Sequence, residues 1–189
     1  MSDKFYVGFG HHARQGKDTI ARAIHTTYPA LTRVIGFADA LKAYCRVNYD
    51  MTIKDPALLQ RIGVEVREKN PDTWINVLRD TVADYPEPII LIPDTRFMNE
   101  AHFVHHRDGL LVRVRRLDEN GHLVLPTDRD PDHVSETELA EYPWDVTIDA
   151  QDGDTTALLH EAQRLGAAIL VAWSEDQHRK VSVPRVVLH

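Results

Sequence analysis

The segment Lys4–Tyr28, KFYVGFGHHARQGKDTIARAIHTTY, sets the strongest limit on the fold. Its opening is apolar and aromatic, so Lys4–Phe9 is predicted to be a buried strand. Gly16–Tyr28 is predicted to be a helix, with Ile20, Ala23, Ile24 and Thr27 on one face. A buried strand that runs through glycine into a helix is the opening unit of an α/β domain with a parallel sheet. The same junction is an anion site, because helix N-terminal amides are unpaired and the helix dipole favours negative charge there. The spacing approaches the phosphate-loop (P-loop) pattern of Gly, four residues, Gly-Lys, then Ser or Thr. Ala13, Arg14, Gly16, Lys17, Asp18 and Thr19 are therefore the expected nucleotide-binding residues, with Lys17 reaching the terminal phosphates. Two positions depart from the pattern. Counting back from Gly16, the first glycine position holds His11, next to Gly10, and Asp18 stands where a hydroxyl normally ligates Mg²⁺. Asp18 is the substitute metal ligand, through a water if need be, because Mg²⁺ keeps several waters. Thr19 is placed to bond the α-phosphate.

The rest of the chain continues the alternation. Strands are predicted at Thr32–Phe37, Pro88–Pro93, Leu110–Leu117 and Asp145–Asp149. Helices are predicted at Ala38–Val47, Pro56–Glu68, Thr73–Asp84, Phe97–His106, Ser135–Glu141 and Thr155–Trp173. Ser135 with Glu138 fits a capping box. Asp118–His133 is polar, with Asp, Gly and Pro, and reads as a loop or lid. These elements amount to a three-layer α/β/α domain on a mainly parallel five-stranded sheet. One domain spans about residues 1–175, with an acceptor-binding helical part near 38–86 and a short lid near 117–135. The 176–189 tail has no placement; VSVPRVVL reads as an extra strand or an oligomer arm.

The bulk numbers restrict function. With 43% hydrophobic residues in 189, a real core is available. A formal charge of −7 argues against duplex nucleic acid as partner. No run approaches the ~18 apolar residues of a membrane span. One cysteine, Cys45, excludes an internal disulfide and fits a reducing cytoplasm. Eleven histidines raise the question of a metal. The pairs His11-His12 and His105-His106 are adjacent, and neighbouring helix positions do not converge on one ion.

Phosphoryl transfer needs positioning and positive charge around the moving group rather than much covalent chemistry. Asp94, after the apolar strand, is expected to face the phosphate loop and help hold Mg²⁺; its alternative is to cap the helix near Phe97. Arg96 lies beside it. Arg116 and Arg129 flank the lid and are candidates to swing in on closure, whereas Arg113 reads as a solvated charge on a strand edge. Arg67 is the best bidentate cation for an acceptor phosphate. Trp74 either stacks on a base or packs the core. Asn99 and Glu100 read as helix surface.

The loop Ala13-Arg14-Gln15-Gly16-Lys17-Asp18-Thr19 resembles that of the bacteriophage deoxynucleoside monophosphate kinases, in which Asp-Thr follows the lysine. FADALK (Phe37–Lys42), LQRIGVEVR (Leu59–Arg67) with Trp74, PDTRFMNEA (Pro93–Ala101) and DHVSETEL (Asp132–Leu139) resemble segments of that family in the same order. The resemblance implies a P-loop NTPase fold of the nucleoside monophosphate kinase kind, ATP with Mg²⁺, and a deoxynucleoside monophosphate acceptor in a host cytoplasm. It implies that Phe37, Asp39 and Lys42 border the monophosphate. It implies further that His133, Ser135 and Glu136 contact its sugar or base, with a capping role as the alternative for Ser135. Lys17, Arg14, Arg116 and Arg129 would neutralise the transferring group, Arg67, Arg96 and Arg129 would hold the acceptor, and Asp18 and Asp94 would organise the metal. Related kinases are often homodimers. Other acceptors stay open, namely phosphomevalonate or a modified base in DNA, as does a nucleotide-binding module without turnover.

Overall fold

The computed structural model describes residues 4–10, 12–127 and 130–182, without the side chains of 179–182. His11, Arg129 and the end of the tail lie outside the described residues. The chain alternates β1 (Phe5–Gly10), α1 (Lys17–Thr27), β2 (Thr32–Val34), then three helices, α2 (Phe37–Asn48), α3 (Pro56–Lys69) and α4 (Thr73–Ala83). It continues through β3 (Ile89–Ile92), α5 (Met98–His105), β4 (Leu110–Leu117), α6 (Val134–Thr137), β5 (Val146–Gln151) and α7 (Thr155–Ser182). The five strands form one sheet in the order β2-β3-β1-β4-β5, and every pairing is parallel. All five carboxyl ends therefore lie along one edge, where an open α/β sheet binds its ligands.

Successive strand residues point to opposite faces, and here both faces are covered. Phe5, Val7, Phe9, Ile89, Leu91, Val112 and Val114 pack with Ile20 and Ile24 of α1 and Ala162, Leu165 and Ile169 of α7. Tyr6, Ile90, Ile92 and Leu111 pack with α2, α4 and α5 through Phe37, Leu41, Leu78 and Phe103. This is the expected three-layer α/β/α architecture on a parallel five-stranded sheet. Double coverage explains why β3 reads as an unbroken apolar run; Ile89, Ile90, Leu91 and Ile92 are each 0% exposed.

Several boundaries differ from the sequence expectation. The predicted strand Thr32–Phe37 stops at Val34, and Phe37 opens α2 instead. Side chains turn the chain there. The Gly36 N–H donates to Asp39 at 2.8 Å, and the amides of Phe37 and Ala38 donate to Asp94, which lies 57 residues further on. Ser135 does not cap α6. His133 occupies the N-cap position and its Nδ1 accepts from the Ser135 N–H at 3.2 Å, while Glu138 accepts from the Met98 N–H at 3.0 Å. β4 is interior, between β1 and β5, so the arginines on it do not guard a sheet edge. The final helix runs on to Ser182, taking in the first part of the tail that had no placement; the rest of the tail lies outside the described residues. The described parts of the 118–133 stretch, 118–127 and 130–133, form a loop as expected. It begins with a tight return in which the Val124 N–H donates to the Arg116 carbonyl at 2.8 Å.

Candidate active site

The phosphate loop is shaped by its own sequence and clamped by distant side chains. Gly16 precedes α1 with φ +98°, and a Cβ there would lie 2.8 Å from Leu158, so only glycine fits. Arg14 also takes a positive φ, 57°. Gln15 is 2% exposed and ties the loop to the lid. Its amide donates to the Val124 carbonyl at 2.7 Å, and its oxygen accepts from the Arg116 N–H at 2.5 Å. The Ala13 N–H donates to Glu136 at 2.9 Å. Nothing in the local sequence announced Gln15, because a buried amide in a turn looks like any surface glutamine until its partners are in place.

Lys17 is buried, and its ammonium donates to the His12 carbonyl. Burial, with Arg96 second, lowers its pKa from 10.5 to about 7; Glu136, Asp18 and Asp94 oppose the shift. The sign of the pH dependence follows. The unfolded chain keeps this proton up to the ordinary lysine range, whereas the native chain releases it near 7, so stability rises with pH across that interval. Urea unfolding of the ligand-free protein against Lys17→Met should show the wild type gaining stability relative to the variant between pH 7 and about 10. A constant difference would mean that the lysine is not depressed.

Two clefts meet at this loop. The larger, about 730 Å³, lies between α1, α2, α3 and the β3–α5 turn. The smaller, about 410 Å³, lies between the loop, Arg116 and the turn Gln151–Thr155 after β5. Arg14, Lys17 and Asp18 line both, and they are the only residues to do so among those described. Thr19 and Arg116 line the smaller cleft alone. Arg116 approaches Asp152 at 3.4 Å. Arg115 is committed to a two-bond pair with Asp149, at 2.7 and 2.6 Å, which raises its pKa. Arg113 lines neither cleft. Arg129 lies outside the described residues.

The larger cleft gathers most of the expected acceptor residues: Phe37, Asp39, Lys42, Arg67, Arg96, His133 and Ser135. Asp39 bridges the Lys42 ammonium and the Gly36 N–H, both at 2.8 Å. Burial pushes the Asp39 carboxyl up, but the Lys42 and Gly36 hydrogen bonds outweigh it and leave the pKa lowered. Arg67 donates to Glu100 at 2.7 Å and lies 3.9 Å over the Phe97 ring. Glu100 is 2% exposed, so the surface expectation for it is corrected. Its other oxygen accepts from the Arg96 and Phe97 amides at 2.9 and 3.2 Å. Burial pushes its pKa up to about 7 against the pull of Arg67.

Two expected positions fall elsewhere. Trp74 is 5% exposed, packs in the core with Leu41 and Leu78, and lines neither cleft. A tryptophan that follows a helix start reads the same for a core as for a base platform, so local sequence did not separate them. Glu136 also lines neither cleft and sits beneath the phosphate loop.

Asp94 lines the larger cleft, and its two oxygens accept from Phe37 and Ala38 at 2.8 and 2.9 Å. It caps a helix, but α2 rather than the one near Phe97. Burial raises its pKa while those amides and Lys42 hold it down. Gly36 makes room for it, since a Cβ there would fall 2.5 Å from a carboxylate oxygen. No cluster of three or more His, Cys, Asp or Glu able to hold a metal exists among the described residues. Asp18 is exposed and lines both clefts, and Asp94 lines the larger one; a hard cation needs only one or two carboxylates, with waters and phosphates completing its shell. No helix among the described residues is long and apolar enough to cross a membrane.

Compared with known proteins, the chain matches no family model and no curated protein. Among solved structures it is similar to the APS kinase CysC of Mycobacterium tuberculosis, with 11% identity and a TM-score of 0.45 over 87% of this chain and 98% of that one. It is also similar to a gluconokinase from Sinorhizobium meliloti 1021, with 15% identity and a TM-score of 0.46 over 95% of this chain and 98% of that one.

Proposed function

We propose that the chain transfers the γ-phosphate of ATP to a deoxynucleoside 5′-monophosphate. The observation that carries this reading is the pair of clefts joined at Arg14, Lys17 and Asp18. A phosphoryl donor and an acceptor must approach one point from two sides, and that point must be cationic. ATP occupies the smaller cleft, its phosphates on the amides of the loop and its nucleoside against Arg116 and the Gln151–Thr155 turn. The acceptor occupies the larger cleft, with its phosphate toward Arg67, Arg96 and Lys42 and its nucleoside near Phe37, His133 and Ser135. An anionic oxygen of the acceptor phosphate attacks the γ-phosphorus as the bond to the ADP oxygen breaks. No general base is needed, because that oxygen carries no proton to remove. Lys17 and Arg14 offset the charge on the moving group, and Arg129 is assigned the same task from the lid. Mg²⁺ held by Asp18 and Asp94 would neutralise the β- and γ-phosphates.

The test is turnover by purified protein with Mg-ATP and each of the four deoxynucleoside monophosphates, with phosphomevalonate as comparison. Diphosphate should form from at least one deoxynucleotide. ADP released only with phosphomevalonate would reassign the acceptor, and nucleotide binding without turnover on any acceptor would sink the kinase reading.

A further inference from the structure

Glu136 follows the lid loop directly, on the short α6, and is 1% exposed. A buried carboxylate is unfavourable unless it is paired and hydrogen-bonded, and Ala13, His12 and Arg96, from the phosphate loop and the acceptor cleft, are among its partners. One oxygen accepts from the Ala13 N–H at 2.9 Å and lies 3.7 Å from His12 Nδ1. The other accepts from the Arg96 guanidinium. The Arg96 backbone is held separately, its N–H donating to Glu100 at 2.9 Å. Arg96 is thus fixed at both ends, with its side chain on the wall of the larger cleft.

We propose that Glu136 is a positioning residue, tying the segment after the lid loop to the phosphate loop at Ala13 and aiming Arg96 into the acceptor cleft. This rests on the kinase reading for what the two clefts hold. It assigns Glu136 no contact with substrate.

Glu136→Gln tests this. The KM for the acceptor should rise about tenfold while kcat at saturating acceptor holds, because the Arg96 guanidinium loses its anchor. A lower melting temperature with an unchanged KM would overturn the proposal and leave Glu136 a structural residue only. If Glu136→Gln does not fold, Glu136→Asp carries the test: it keeps the charge and shortens the reach, so acceptor KM should rise, and a wild-type KM would overturn the proposal. A wild type that binds ATP but phosphorylates no deoxynucleotide defeats the acceptor reading alone. Glu136→Ala then decides, through ATP affinity measured by calorimetry at one pH: it should weaken because the Ala13 N–H loses its acceptor, and unchanged affinity would overturn the proposal.

Discussion

Lys17→Met should lower turnover about a thousandfold while the protein stays folded. The ammonium stands where the two clefts join, and its loss removes the one buried cation common to both among the described residues. Electrostatic stabilisation there is worth most because the site is shielded from water. The fold should survive because Lys17 is itself a strained choice, a buried charge whose pKa burial has already pulled down to about 7. Methionine fills a similar volume with nothing to desolvate. Steady-state kinetics with circular dichroism would check both halves. Turnover within tenfold of wild type would show that Lys17 is not at the point of transfer. Loss of the folded spectrum would show that its hydrogen bond to the His12 carbonyl holds the domain together.

Gly10→Ala should destabilise the protein by about 3 kcal/mol, near the upper end for forcing one methyl into a packed interior. A Cβ on Gly10 would fall 2.2 Å from the Trp144 ring and 2.8 Å from the Thr95 carbonyl. The ring is held from one side by Tyr142, with centroids 5.9 Å apart. The carbonyl belongs to the turn that carries Asp94 and Arg96, and the Thr95 N–H donates to the Phe9 carbonyl at 3.1 Å. Neither neighbour moves without disturbing the site, so the acceptor KM should rise along with the loss of stability. The midpoint of urea unfolding measures the first effect. A shift equivalent to less than about 0.5 kcal/mol would mean that the contact relaxes freely.

The same residue shows where local reading runs out. By spacing, Gly10 looked like the first glycine of the phosphate loop displaced by one position. In the structure it is a packing glycine, required by the indole of Trp144, which lies 134 residues away in the chain. Gly16 is the opposite case. Its place between strand and helix marked it as a phosphate-loop glycine, and the positive φ agrees. Asp94 lies between these cases. Its position after an apolar strand marked it as a site candidate, and it lines the larger cleft, but its oxygens hold the start of α2, and that depends on how β2 and β3 pair.

Arg67 and Arg96 stood out as candidate cations by charge, and Asp39 and Lys42 only through the family resemblance; strand and helix order, the parallel sheet and the strand–loop–helix anion site were legible from the chain alone. They follow from hydrophobic period and from the rule that a parallel sheet puts every carboxyl end on one edge, which are local or topological properties. The clamps were not legible. Gln15 to Val124, Glu136 to Ala13, Glu100 to Arg67 and the burial of Trp74 each join segments far apart in sequence. A polar side chain shows no sign of its partner until packing removes water from both. Burial then makes the hydrogen bond obligatory and shifts the pKa of Lys17 and Glu100 toward neutrality.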